Sequence, residues 1–204
     1  QYSIVRMRER DIRMATDDEH YKALAYEQFT RLDKKMYPVI TSVPDKAAET
    51  VRALVEMDKY DLIFLDLPGT VNAEGILYTL SKMDYIFCPI SADRVVLESS
   101  LRFASRINEK LIVSGKSNIK GLHLVWNLVD GREKTELYEV YEQVIAELGL
   151  DVLKTFLPDS KRFRRELSAG HRPLFRSTMF PADRALIKGS NLDALAEEII
   201  GIIK

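Results

Sequence analysis

The eleven residues at 60–70, YDLIFLDLPGT, constrain the fold of this chain more than any others. Four apolar residues, Leu62, Ile63, Phe64 and Leu65, run directly into Asp66, and Pro68-Gly69 follow at once. A continuous apolar run this short predicts a strand buried on both faces, and an acid at its carboxyl end stands where an open α/β sheet takes its ligand. Similar β-branched runs recur at 38–41, 85–90, 121–127 and 152–157. Stretches with helical spacing lie between them, and strands alternating with helices imply βαβ units and a mainly parallel sheet.

Several helices are legible. Leu137, Val140, Tyr141, Val144, Ile145 and Leu148 follow i, i+3, i+4, i+7, i+8, i+11 and end before Gly149, which predicts a helix with a glycine stop. Leu192, Leu195, Ala196, Ile199, Ile200 and Ile203 repeat the pattern after Ser190, which with Asp193 resembles a capping box. Leu97, Leu101, Ala104, Ile107 and Leu111 mark a third helix, Ala47, Val51, Leu54 and Val55 a fourth, and 21–32 a fifth. The stretch 2–14 is ambiguous because its arginines fall on all sides.

At 204 residues, 46% hydrophobic and 30% charged, the chain has the material for one well-buried α/β domain, whereas a second full domain would be cramped. The expectation is therefore a single domain over 1–204. A net charge of -1 gives no global field for nucleic acid or membrane, so such a partner must be met by a local patch. Cys88 is the only cysteine, which excludes a disulfide framework and a thiolate metal cluster and agrees with a reducing, cytoplasmic setting. No apolar run approaches the roughly 18 residues of a membrane span, and no signal-peptide pattern opens the sequence. The first residue is Gln1, so the chain is expected to be part of a longer protein.

Three polar strand ends carry the chemistry. Asp66 closes the 61–66 run; Asn127 closes the fourth run and is followed by LVDGREK; Pro158-Asp159 turns the chain after the fifth. An amide at a strand's carboxyl end can match the donor and acceptor edge of a purine, and Pro158-Asp159 can lie over the same base. Singly each is an ordinary feature, since Asp caps helices and Asn, Pro-Asp and Pro-Gly make turns. Together they put three polar groups along one edge of one sheet. Gly115-Lys116-Ser117, by contrast, is a decoy. A phosphate-binding loop needs a glycine five residues before Gly115, where Lys110 stands, and a helix directly after the serine, where NIKG leads into a strand.

With these residues in view, YDLIFLDLPGT, MDYIFCPISADRVVLESSLRFASRI, GLHLVWNLVDGREK, TFLPDSKRFRREL and AGHRPLF resemble, in order, the landmarks of the ParA/MinD ATPases. These are deviant Walker-A proteins of partition and positioning, and the nearest likeness is to ParA-like proteins of conjugative-element transfer regions. The resemblance covers about residues 55–204. It implies a three-layer P-loop NTPase-like fold whose first βα unit is missing here, with a mainly parallel sheet and helices on both faces. It implies ATP and Mg²⁺ as cofactors: Asp66 as the catalytic carboxylate acting on Mg²⁺ through water, Pro68 and Gly69 at the γ-phosphate, Asn127 on adenine, and Pro158 and Asp159 flanking the base. It implies an ATP-bound homodimer that contacts nonspecific DNA or a partner protein, away from any membrane.

The sequence departs from that pattern at its start. The family's lysine-bearing K-G-G-x-G-K-[ST] loop and its switch I aspartates are absent from these 204 residues, although Gln1 fits the glutamine that ends the D-x-D-P-Q segment. The chain as given is therefore expected to bind ATP weakly and not to hydrolyse it. A ParA-derived scaffold without catalysis and an unrelated nucleotide-binding α/β protein stay open as alternatives.

One segment is strongly basic. Residues 161–176, KRFRRELSAGHRPLFR, carry six basic residues against the single acid Glu166, which leaves about -6 for the rest of the chain. Lys161, Arg162, Arg164 and Arg165 are its candidate DNA-phosphate contacts; the alternative is a solvated face paired to acids elsewhere. His20, His123 and His171 have no i, i+4 partner or nearby cysteine, so no metal site is expected from them. Ser99-Ser100 lacks a nucleophile's glycine setting. Trp126 fits packing under a helix better than stacking on a base.

Overall fold

The computed structural model describes residues 3–67, 74–132, 135–164, 174 and 176–204, without the side chains at 74, 135, 162 and 164. The described residues divide into two compact units, 1–41 with 160–190 and 42–159 with 191–204.

The second unit is an α/β body. Its strands β1 (Tyr85–Ile90), β2 (Gly121–Trp126) and β3 (Asp151–Val152) form an open sheet in the order β1-β2-β3, every pair parallel. Tyr85 stands opposite Gly121, Ile90 opposite Trp126, and His123 opposite Asp151. Alternation along β2 sends successive side chains to opposite faces. Leu122, Leu124 and Trp126 enter one core with Ile86 and Ile90 of β1; Val125 enters another with Phe87.

Helices cover both faces. The first core is closed by α4 (Glu74–Leu80) through Ile76 and Leu80, by α5 (Arg94–Ile107) through Leu97, Ala104 and Ile107, and by α6 (Thr135–Glu147) through Ile145. The opposite core is closed by α9 (Leu192–Ile203) through Leu195, Ile199 and Ile202. Asp93 starts α5 by accepting the N–H groups of Val95 and Val96 at 3.0 Å, which satisfies two donors that an α-helix leaves unpaired. α6 ends as its sequence predicts: Gly149 has φ +67°, and Leu150 N–H donates to the Ile145 carbonyl at 3.1 Å, the paired closure of a left-handed glycine stop. α9 departs from expectation. Its cap is Asn191, at φ 60° with no side-chain cap bond, while Ser190 donates its hydroxyl to Ile187, so the capping box from Ser190 and Asp193 does not form.

α9 also fixes the chain just after β3. Glu198 accepts the N–H of Lys154 with one oxygen and of Thr155 with the other, both at 2.8 Å. A carboxylate thus satisfies two backbone donors that β3 leaves unpaired just past its end.

Two of the expected strands are absent. Residues 38–41 and 61–66 belong to no strand among the described residues. Along 62–67, Leu62 (52% exposed) and Phe64 (77%) face outward, while Ile63, Leu65 and Leu67 are half-buried. The segment is apolar enough for a strand, but a strand exists only with a hydrogen-bonding neighbour, and without one the run leaves one side in water. It is not the doubly buried strand that its composition predicts.

The first unit is helical: α1 (Ser3–Asp17), α2 (Glu19–Tyr26) with a wider turn over 27–31 closed by Leu32 N–H on Glu27, and α3 belongs to the other unit at Ala47–Glu56. The short helices α7 (Lys161–Arg164) and α8 (Arg184–Ile187) complete it. The ambiguous 2–14 stretch is helical because Asp11, wholly buried, gathers the polar groups around it. It accepts Thr178 N–H at 2.6 Å, the hydroxyls of Ser177 and Thr178 at 2.9 and 3.0 Å, and the Arg10 guanidinium at 2.7 Å. Tyr21, Leu174, Met179 and Phe180 form the apolar core beside this knot.

Candidate functional site

The carboxyl ends of β1 and β2 are joined beyond the regular sheet. Asn127 donates its N–H to the Ile90 carbonyl at 2.8 Å, which keeps the residue after β2 in register with the end of β1. Its side-chain Oδ1 accepts the N–H of Leu128 at 3.0 Å. Leu128 has φ 58°, a left-handed conformation that costs a residue with a Cβ about 1 kcal/mol. The chain thereby turns sharply just past the sheet edge.

A second turn is stitched to the first. Leu157 N–H donates to the Trp126 carbonyl at 2.8 Å, Val129 N–H to Leu157 at 3.0 Å, and Asp159 N–H to Val129 at 2.8 Å, with Val129 and Pro158 forming a parallel bridge. Asn127, Pro158 and Asp159, singled out on sequence alone, are therefore neighbours on one edge. Two further residues belong here. Asp130 accepts the N–H of Arg132 and its guanidinium, with oxygens at 3.0 and 2.7 Å. Those bonds hold the half-buried Asp130 carboxyl down at about 2, and the same pairing, with the charge of Asp159, raises the Arg132 guanidinium. Sequence reading passed over Asp130 and Arg132 as parts of a turn; the Asp-Gly-Arg run after a strand was the available signal.

Asp66 is placed less fully. It is exposed, at the end of the extended 62–67 segment, and the next residue inward, Leu67, packs on the same core as Ile90, Trp126 and Val129. Pro68 and Gly69 lie outside the described residues. Among the described residues no group of three or more His, Cys, Asp or Glu side chains could hold a metal ion. Mg²⁺ does not need one, since it commonly takes one or two carboxylates and completes its shell with water and substrate phosphates. The edge thus brings the Asn127 amide beside two adjoining turns, and Asp66 adds an exposed carboxylate at the end of the 62–67 segment.

The remaining sequence candidates resolve individually. Trp126 lies under α6, edge-on to Tyr138 with centroids 5.0 Å apart, and donates Nε1–H to Glu142 at 2.9 Å, so it is a packing residue. His123 pairs with Asp151 at 2.8 Å and stacks on Phe87; a Cβ at Gly121 would meet its ring at 2.5 Å, so the glycine makes room for it. Gly115-Lys116-Ser117 is a turn, with Gly115 at φ +67° and the Ser117 hydroxyl donating to Leu111. Burial pushes the Cys88 thiol up to about 11, which keeps it unreactive.

Of the basic segment, Lys161 is exposed at the start of α7, and Arg176 donates to the Phe163 carbonyl at 3.2 Å. The backbone of Arg162 and Arg164 lies in α7, whereas Arg165 lies outside the described residues. A cleft of about 200 Å³ in the first unit is lined by Gln28, Lys34, Tyr37 and Thr178 and holds none of the residues that the sequence picks out. Among the described residues no helix is long and apolar enough to cross a membrane.

The fold and edge define an α/β protein with a small open parallel sheet and two hydrogen-bonded polar turns at its carboxyl end. No protein-family model matches the chain, and no curated protein matches it.

Proposed function

We propose that this chain is the nucleotide-binding body of a ParA-like, Mg²⁺-dependent ATPase that acts in plasmid or mobile-element partition or in conjugative transfer. The stitched turns at 127–130 and 157–159 support this reading most, because they put an amide and two turns at the sheet edge where open α/β folds take ligands. In this reading the fold is that of a P-loop NTPase without its first βα unit. Asn127 holds adenine, Pro158 and Asp159 flank it, Asp66 completes the Mg²⁺ shell through water, and Gly69 offers its N–H to the γ-phosphate. The phosphates themselves require a lysine-bearing loop that these 204 residues do not contain, so hydrolysis belongs to a protein that supplies one. ATP binding drives dimerisation, and the dimer holds DNA through Lys161, Arg162, Arg164 and Arg165, or holds a partner protein.

The test is nucleotide selectivity, measured on the protein expressed from its full coding sequence. ATP with Mg²⁺ should bind at least about tenfold more tightly than GTP, and Asn127→Ala should remove about 1–2 kcal/mol of that preference. Equal affinity for the two nucleotides, or none for either, rejects the reading. A second reading, a ParA-derived scaffold that binds DNA or a partner without catalysis, is favoured by the position of Asp66 on an exposed segment outside the sheet. Nucleotide binding without turnover in the same preparation selects it.

A further inference from the structure

The helix α6 carries more apolar surface than its own unit uses. Tyr138, Tyr141 and Ile145 face the core under Trp126. A second line, Leu137, Val140, Val144 and Leu148, repeats at i, i+3, i+7, i+11 one step around the helix and is exposed, Val140 at 55% and Val144 at 42%. Four apolar side chains in a row on one helix face are the anatomy of a helix contact, whereas isolated surface apolar residues are ordinary. The two valines are also poor choices for a solvated helix, where alanine or a straight-chain polar residue is the better former. Local helix stability therefore does not account for them.

Charge says what the line would receive. At 100° per residue, the border of the stripe away from the core is occupied by Glu136, Glu139 and Glu147, all exposed, with Gln143 among them. A second copy of the same face is a poor occupant: antiparallel pairing would set Glu136 against Glu147 of the other copy, and parallel pairing would align like charges. A partner with an apolar line flanked by lysine or arginine meets both features at once.

We infer that the exposed face of α6 is a docking face for a basic amphipathic helix of a partner protein. The inference does not depend on nucleotide binding. It rests on the coincidence of an unburied apolar line and an acidic border on one helix.

The experiment uses the full chain and two fluorescein-labelled helical peptides with identical leucine faces, one with lysine on the polar positions and one with glutamate. Anisotropy should show saturable one-to-one binding of the lysine peptide and at least tenfold weaker binding of the glutamate peptide. The exchange Val140→Ala with Val144→Ala should weaken the lysine peptide at least tenfold while leaving the circular dichroism and thermal midpoint intact, since alanine favours the helix. Glu136→Gln with Glu147→Gln should weaken it severalfold and flatten its salt dependence. Equal binding of the two peptides, indifference to the alanine exchange, or no binding overturns the inference. So does a dimer in sedimentation equilibrium that the alanine exchange disperses, because the occupant is then a second copy.

Discussion

Asp159 donates its backbone N–H to the carbonyl of Val129 across 2.8 Å, and through that bond the turn after β2 and the turn after the β3 run become one structure. Each turn is also tied to the sheet on its own, Asn127 to Ile90 and Leu157 to Trp126. The bond from Val129 N–H to Leu157 completes the pair. Val129→Pro removes that donor, takes a packed valine from the first core and disfavours the left-handed Leu128 before it, so the loss should exceed the roughly 1–2 kcal/mol of the unpaired Leu157 carbonyl alone. Urea denaturation followed by Trp126 fluorescence checks it; an unchanged midpoint would mean that the two turns are held by something else.

Leu128 breaks two local rules at the same edge: a bulky residue at φ 58°, and an exposed one. Strained backbone of this kind gathers where a turn must aim its neighbours. Leu128→Gly should leave stability within about 0.5 kcal/mol, since relief of the left-handed cost offsets the added chain entropy. Leu128→Ile should lose about 1–2 kcal/mol, because a β-branched residue tolerates that region worst. Comparison of the two urea midpoints separates strain from lost contact: equal losses would assign the effect to the leucine side chain.

The carboxyl of Asp130 is held near 2 by the bonds from Arg132. Arg132→Ala should return it toward the ordinary 3.8, and NMR titration of the aspartate carboxyl carbons measures this directly. A titration that stays near 2 would assign the depression to the backbone of the turn instead. Little stability change is expected, because the Arg132 guanidinium stands in water and screening weakens such a pair.

The sequence made some of this legible and hid the rest for identifiable reasons. α6 and α9 could be seen because 3.6-residue periodicity is a property of the helix itself, and Gly149 announces its own conformation. β1 and β2 could be seen because their alternating faces both meet helices. The runs at 38–41 and 61–66 carry the same composition, yet strand formation depends on a neighbour, and the neighbour is not written in the run. Asn127, Pro158 and Asp159 were found as strand ends, and their nearness followed once β2 and β3 paired in parallel. Asp130 and Arg132 were missed because an ion pair two residues apart resembles any turn. The cap of α9 misled because Ser190 has a competing acceptor, the Ile187 carbonyl.

Asp11 makes the pH behaviour of the first unit predictable. Burial alone would raise its carboxyl, but the Thr178 N–H, the Arg10 guanidinium and the hydroxyls of Ser177 and Thr178 outweigh burial and hold it below the ordinary 3.8. Its folded value is thus lower than its value in the unfolded chain, so the stabilisation is fully present above about pH 4 and is lost as pH falls through the folded value. Asp11→Asn puts a neutral amide where four donors converge and should cost about 3 kcal/mol at pH 7. Below the folded value the wild-type carboxyl is neutral too, so the gap between the two proteins should narrow. The Thr178 amide, whose N–H lies 2.6 Å from the carboxylate, reports this by hydrogen exchange corrected for its intrinsic rate. Protection should fall steeply below pH 4 in the wild type and stay low and flat in the variant. A pH-independent difference between them would show that shape, and not the charge of Asp11, organises this unit.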